Sequence, residues 1–131
     1  MFSHIVTSVS DFDRAYQFYR AVLGVLDLEQ RFLDRQRPWA GWQSAGGQRP
    51  LFVICKPFNG APHEPGNGQM VAFLAANREQ VRSAHQTALS HGGADDGAPG
   101  LRPSYHADYY GAYFRDPDSN KVCVVCHEKE T

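Results

Sequence analysis

Near its C-terminus the chain carries Cys123-Val124-Val125-Cys126-His127, a C-x-x-C-H spacing that matches the pattern for covalent haem attachment. In an apolar strand, residues three apart point to opposite faces, so the two thiols cannot reach one macrocycle. A redox C-x-x-C pair fails on similar grounds, because such pairs sit at helix starts. The strand phase leaves Cys126 as a small buried apolar group and puts Cys123 on one face with Val125 and His127, where it can line a cleft. Upstream lies the densest polar-aromatic stretch in the chain, Arg102, Tyr105, His106, Tyr109, Tyr110 and Tyr113. These residues offer flat apolar surface with hydroxyl and cationic donors, which suits a planar or anionic ligand, while a tyrosine-rich loop packed on its own body or at a dimer contact is the alternative. Trp42, on a first-half strand, is a further candidate for ligand contact, with core packing as its other reading.

The elements that must position these groups follow from periodicity. Phe2 to Val9 alternates as a strand, with His4, Val6 and Ser8 on one face. Ser10 or Asp11 can cap a helix in which Phe12, Ala15, Phe18, Tyr19, Val22 and Leu23 recur at helical spacing, ending at Gly24. Three strands are expected over 25–33, 38–44 and 51–56, giving a β-α-β-β-β order. The Pro- and Gly-rich stretch 58–67 reads as a connector between repeats 1–57 and 68–131 of one domain. The pattern then restarts, with a strand over 70–75, Asn77 and Gln80 as a capping pair, and a helical stripe of Val81, Ala84, Ala88 and Leu89 closing at His91-Gly92. An offset of 66 residues carries Asp11 onto Asn77, Phe18 onto Ala84 and Leu23 onto Leu89. Only a short strand is expected between 93 and 109, before a hairpin whose strands flank Asp116-Pro117-Asp118-Ser119-Asn120. The fold class expected is α+β, with two βαβββ repeats forming one curved mixed sheet around a cleft.

Composition narrows the partners. With 13 Lys and Arg against 14 Asp and Glu, a formal net charge of -1 gives no electrostatic reason for nucleic acid or an anionic membrane. No stretch approaches the ~20 apolar residues of a membrane span. Three cysteines build no even disulfide framework, which fits a reducing compartment, so a cytoplasmic protein with a small-molecule ligand is expected.

The stretches FSHIVTSVSDFDRAYQFYRAVLG, GNGQMVAFLAANREQV and YFRDPDSNKVCVV together resemble the vicinal oxygen chelate superfamily, which contains glyoxalase I, bleomycin-resistance proteins and extradiol dioxygenases. Within it, GAPGLRPSYHADYYGAYFRDPDSN is similar to a group of bacterial glyoxalase-like proteins. The resemblance implies a cleft, a homodimer and, in the active members, one divalent metal held by four His or Glu side chains. Carried onto this chain, those positions fall on His4, on Leu51 or Phe52, on Met70 and on Cys123, so His4 is the one retained ligand. A borderline divalent ion needs several N or O donors, and this set does not supply them. No cofactor is therefore expected, and a divalent metal is the alternative. The leading functional expectation is binding of a small organic molecule in a cleft whose lining includes His4, Met70, Cys123, Tyr113, His127, Trp42, Arg102, Tyr105 and Tyr110. A metal-dependent lyase, isomerase or dioxygenase is the rival.

Overall fold

The computed structural model describes residues 1–130, so the last residue of the second expected repeat lies outside the described residues. In chain order it contains β1 (His4–Ser8), α1 (Phe12–Val25), β2 (Glu29–Asp34), β3 (Trp39–Ser44), β4 (Gln48–Cys55), β5 (Val71–Leu74), α2 (Arg78–Ser90), β6 (Ala94–Leu101), β7 (Tyr110–Arg115) and β8 (Lys121–Cys126). The two helices begin alike. Asp11 accepts a hydrogen bond from the Arg14 N–H at 3.1 Å and Asn77 from the Gln80 N–H at 2.8 Å, each satisfying a donor that the first helical turn leaves unpaired. Gly24 does not end α1, which runs on to Val25. The left-handed residue after it is Asp27, with φ at 61°, a conformation that Asp tolerates better than most side chains.

Each repeat forms a mixed sheet of four strands, ordered β1-β4-β3-β2 and β5-β8-β7-β6, with its first and last strands paired in parallel. The expectation of a single curved mixed sheet is overturned here. Backbone hydrogen bonds build two separate sheets, and β1 and β5 are edge strands of their own sheets rather than partners. Side chains join the halves instead. Phe52 of β4 meets Phe73 of β5 edge-to-face at 5.0 Å, Phe18 of α1 meets Phe114 of β7 at 6.0 Å, and α1 packs against α2 as well as against its own sheet. One apolar cluster runs from Phe12 through Trp42, Phe52 and Phe73 to Phe114 and Cys126.

The turn between β7 and β8 fastens the halves with polar bonds. Asp116, 3 % exposed, accepts from the Tyr19 hydroxyl at 2.6 Å, from the Asp118 and Asn120 N–H groups at 2.8 and 2.9 Å, and from the Asn120 side chain at 2.9 Å. Asn120 also donates to the Ser8 carbonyl at 3.0 Å, and Arg14 pairs with Asp118 at 3.1 Å. A buried carboxylate is tolerated because its lone pairs are used in this way. From the connector, His63 Nδ1 lies 2.7 Å from Ser8 Oγ and its Nε2 lies 3.2 Å from the Asp118 carbonyl. No helix among the described residues is long and apolar enough to cross a membrane.

Candidate functional site

β6 is longer than expected, eight residues with Gly97, Pro99 and Gly100 accommodated by two register shifts against β7. An edge strand can carry Pro and Gly in this way, because one side of its backbone is not needed for pairing. The chain then leaves β6 and makes tight turns through 102–109. The Arg102 N–H donates to the Tyr109 carbonyl at 2.8 Å and the Tyr105 N–H to the Arg102 carbonyl at 3.0 Å. These bonds fold Tyr105 and Tyr109 back over the face of β7 and β8 that the helices leave uncovered. Gly111 permits the approach, since a Cβ there would lie 2.9 Å from the Tyr109 ring.

The result is a polar-aromatic cluster. Tyr109 and Tyr113 hydroxyls are 2.9 Å apart, and the Tyr109 hydroxyl lies 3.6 Å from the Cys123 sulfur. Tyr105 packs on Tyr109 at 4.8 Å, while Arg102 and Lys121 sit 5.5 and 5.4 Å from the Tyr113 ring centre. Burial pushes the Tyr109 hydroxyl well above the ordinary phenol range, and the hydrogen bonds with Tyr113 and Cys123 add to this. Burial raises Tyr113 as well. The Cys123 thiol is also raised by burial, against the opposing pull of the two tyrosine hydroxyls, Arg102 and Lys121. At neutral pH the cluster is therefore a set of neutral O–H and S–H groups, not a thiolate nucleophile.

A cavity of about 520 Å³ opens over this cluster, lined by Tyr105, Tyr109, Tyr113, Arg115, Lys121 and the connector segment 66–70. It shares Gln69, Met70 and Lys121 with a neighbouring cavity of about 430 Å³ that reaches Val6 and Ser8 on β1 and Cys55 on β4. A third, more apolar cavity of about 780 Å³ adjoins the second at Ile5 and Val71 and lies between Ile5, Leu51 and Phe52 on one side and Phe73, Leu74 and His127 on the other. All three fall in the size range of small-molecule sites, roughly 300–1,000 Å³.

The structure brings together Met70, Tyr105 and Tyr113 at the first cavity, with Cys123 beneath Tyr109 and Arg102 beside Tyr113. His4 is exposed, its Nδ1 2.9 Å from Ser3 Oγ, and it lines none of the three cavities. His127 sits at the third cavity, with its Nδ1 2.8 Å from His106 Nε2. Tyr110 lies against α2, receiving a hydrogen bond from Arg82 at 3.3 Å and lying 5.2 Å below Arg78. Trp42 is 2 % exposed and stacks on Tyr16 at 5.9 Å, inside the core between α1 and β3. Sequence reading missed Lys121 and the 66–69 segment as walls of the cavity. Three glycines over 57–68 and the lack of an apolar period marked this stretch as loop, but nothing local marked where it would dock.

The donor set does not fit a divalent metal. The four inherited positions hold an exposed imidazole, the buried aliphatic Leu51 or aromatic Phe52, a thioether, and a thiol held in its protonated form. Among the described residues no three His, Cys, Asp or Glu side chains converge as a metal-holding group.

The profile of the Glyoxalase/Bleomycin resistance protein/Dioxygenase superfamily matches residues 1–124. Among solved structures, a glyoxalase/bleomycin resistance protein from Albidiferax ferrireducens T118 is 34% identical and superposes with a TM-score of 0.85 over 96% of this chain and 98% of that one. Lactoylglutathione lyase from Agrobacterium tumefaciens is 21% identical with a TM-score of 0.64, covering 96% of this chain and 92% of that one. Glyoxalase I from Zea mays is 20% identical with a TM-score of 0.73, covering 95% of this chain and 45% of that one. The last two likenesses are of fold. A comparison with curated proteins gives no match.

Proposed function

Since the chain belongs to the Glyoxalase/Bleomycin resistance protein/Dioxygenase superfamily, we propose that it binds a small planar organic anion in the tyrosine-walled cleft, without a divalent metal at the inherited position. The observation that carries this reading is the Tyr109–Tyr113–Cys123 cluster beneath the cavity that Met70 and Lys121 border. Neutral hydroxyls donate to the oxygens of a carboxylate or enolate, the tyrosine rings take the flat face, and Lys121, Arg115 and Arg102 supply positive charge. Ion pairs temper that charge. Arg115 and Lys121 both reach Asp96, at 3.0 and 3.7 Å, so the site favours one anionic group rather than a polyphosphate. Exposed Val6 and Leu74 on the edge strands give apolar surface for the homodimer that the family resemblance implies, testable by light scattering across a dilution series.

The test is a thermal-shift screen of chelator-treated protein against substituted benzoates and aliphatic enolates, followed by calorimetry on Tyr113→Phe. Saturable binding of an aromatic carboxylate, weakened about tenfold in the variant, is the expected outcome for loss of a hydrogen bond to a charged group. Binding that appears only after a divalent ion is added would contradict the proposal.

A further inference from the structure

His106 and His127 are 21 residues apart, yet their rings meet edge to edge and nearly coplanar, with centres 5.1 Å apart and an interplanar angle of 28°. Their nitrogens approach to 2.8 Å, His106 Nε2 facing His127 Nδ1. The surrounding bonds assign the protons. The Asp108 N–H donates to His106 Nδ1 at 3.2 Å, so that nitrogen carries no proton and Nε2–H is the donor to His127. His127 must accept at Nδ1, which leaves its own proton on Nε2. Both rings are thus fixed as the same neutral tautomer. The Tyr109 ring stands edge-on against both, at 5.7 Å from His106 and 5.4 Å from His127. The imidazole pair therefore braces the tyrosine that closes over Cys123.

We propose that the His106–His127 hydrogen bond is a pH-sensitive latch that positions Tyr109, so that a second proton on the pair releases the 102–109 segment and opens the ligand site. The inference rests on the proposed site for its functional consequence, but the latch itself is a property of the ligand-free chain. A first proton can be shared, since one protonated ring still donates to one neutral ring, although a proton at His106 Nδ1 displaces the Asp108 amide. A second proton points two N–H donors at each other and sets two positive charges side by side. The groups around the pair are Asp108 and Tyr109 on the same segment and Glu128 next to His127. Beyond these, Arg78 of α2 is 3.9 Å from Asp108 and 3.2 Å from Glu130. Arg78 offsets part of the negative charge that Asp108 would set against a doubly protonated pair.

The experiment is hydrogen exchange of the ligand-free protein, read as protection factors for 102–109 at about pH 7.5 and about pH 4, the lower value lying below ordinary imidazole titration because a like charge beside the site resists the second proton. Wild type should lose protection about tenfold or more at the lower pH. In His127→Gln the amide oxygen accepts from His106 Nε2 at either pH, so the profile should be flat apart from the Asp108 amide, which a proton on His106 Nδ1 releases in either protein. Both rings are exposed, so the variant keeps its core, and imidazole ¹⁵N shifts of wild type at pH 7.5 give an independent reading of the two tautomers. Equal protection at both pH values in wild type, the same acid loss in His127→Gln, or a proton on His106 Nδ1 at pH 7.5 would overturn the latch. A latch that behaves as stated in a protein that binds no aromatic carboxylate would contradict the proposed function instead.

Discussion

The Tyr19 hydroxyl donates to Asp116 at 2.6 Å, a buried bond that, with the more exposed Arg14–Asp118 pair, fastens α1 of the first repeat to the β7–β8 turn of the second. Both groups are buried, and burial beside Asp116 pushes the Tyr19 hydroxyl well above its usual range. In Tyr19→Phe the carboxylate keeps three other donors but loses its one cross-repeat partner. We expect a loss of about 1–3 kcal/mol, the usual cost of stranding part of a buried polar group, measured by urea denaturation. A change below a few tenths would show that the seam does not depend on this bond.

Alkaline stability should report the buried acids together. Tyr19, Tyr109, Tyr113, Cys55 and Cys123 are all raised in the folded chain, so the unfolded chain gives up these protons first. Their contribution is fully present below the unfolded thiol and phenol ranges, and is lost as pH rises past about 8.5 for thiols and about 10 for phenols. Urea midpoints should fall progressively from about pH 8.5 to about pH 10.5, less steeply in the Tyr109→Phe, Tyr113→Phe double variant. A flat profile would contradict the burial of the cluster.

Much of the frame was legible because its signals are local. Asp11 and Asn77 cap helices by reaching three residues ahead, and their common offset exposed the repeat. Gly24 misled, since the left-handed turn fell to Asp27. The seam was not legible. It is made by Phe52 against Phe73 and by Tyr19 on Asp116, contacts between distant residues that no periodicity encodes, so the expected continuous sheet became two. Trp42 follows the alternation of β3: Ala40 and Trp42 pair with Ile54 and Phe52 and share the core face, which was one of the two readings open to it. Of the site, Tyr105, Tyr113 and Met70 were read from residue type and family position, whereas the His106–His127 contact depends on how the 102–109 segment folds back.

Gly111 should be intolerant for a reason specific to the cleft. Its missing Cβ leaves room for the Tyr109 ring on β7, and an added methyl 2.9 Å from that ring forces it away. Gly111→Ala is expected to keep the fold, because β7 tolerates a side chain there, while weakening ligand binding about as much as Tyr109→Phe. Unchanged affinity with an undisturbed Tyr109 ring, seen in aromatic NMR shifts, would count against the packing described.

Thiol reactivity separates the three cysteines. Cys55 is partly exposed, whereas Cys123 and Cys126 are 0% and 1% exposed, and burial disfavours thiolate at Cys123. An aromatic disulfide reagent at neutral pH should therefore modify Cys55 first, with Cys123 labelling at least about tenfold more slowly. Peptide mapping that finds Cys123 labelled as fast as Cys55 would show an open, ionised cluster.

The division between a tyrosine-built site and an inherited metal site is tested most directly by calorimetric affinity for the same aromatic carboxylate in His4→Ala and Tyr113→Phe. His4 is exposed and lines none of the cavities, while Tyr113 forms the wall of the tyrosine cleft. The expected result is a dissociation constant within about twofold of wild type for His4→Ala and about tenfold weaker for Tyr113→Phe. Loss of binding in His4→Ala, together with loss of one tightly held metal ion per chain and no change in Tyr113→Phe, would contradict it.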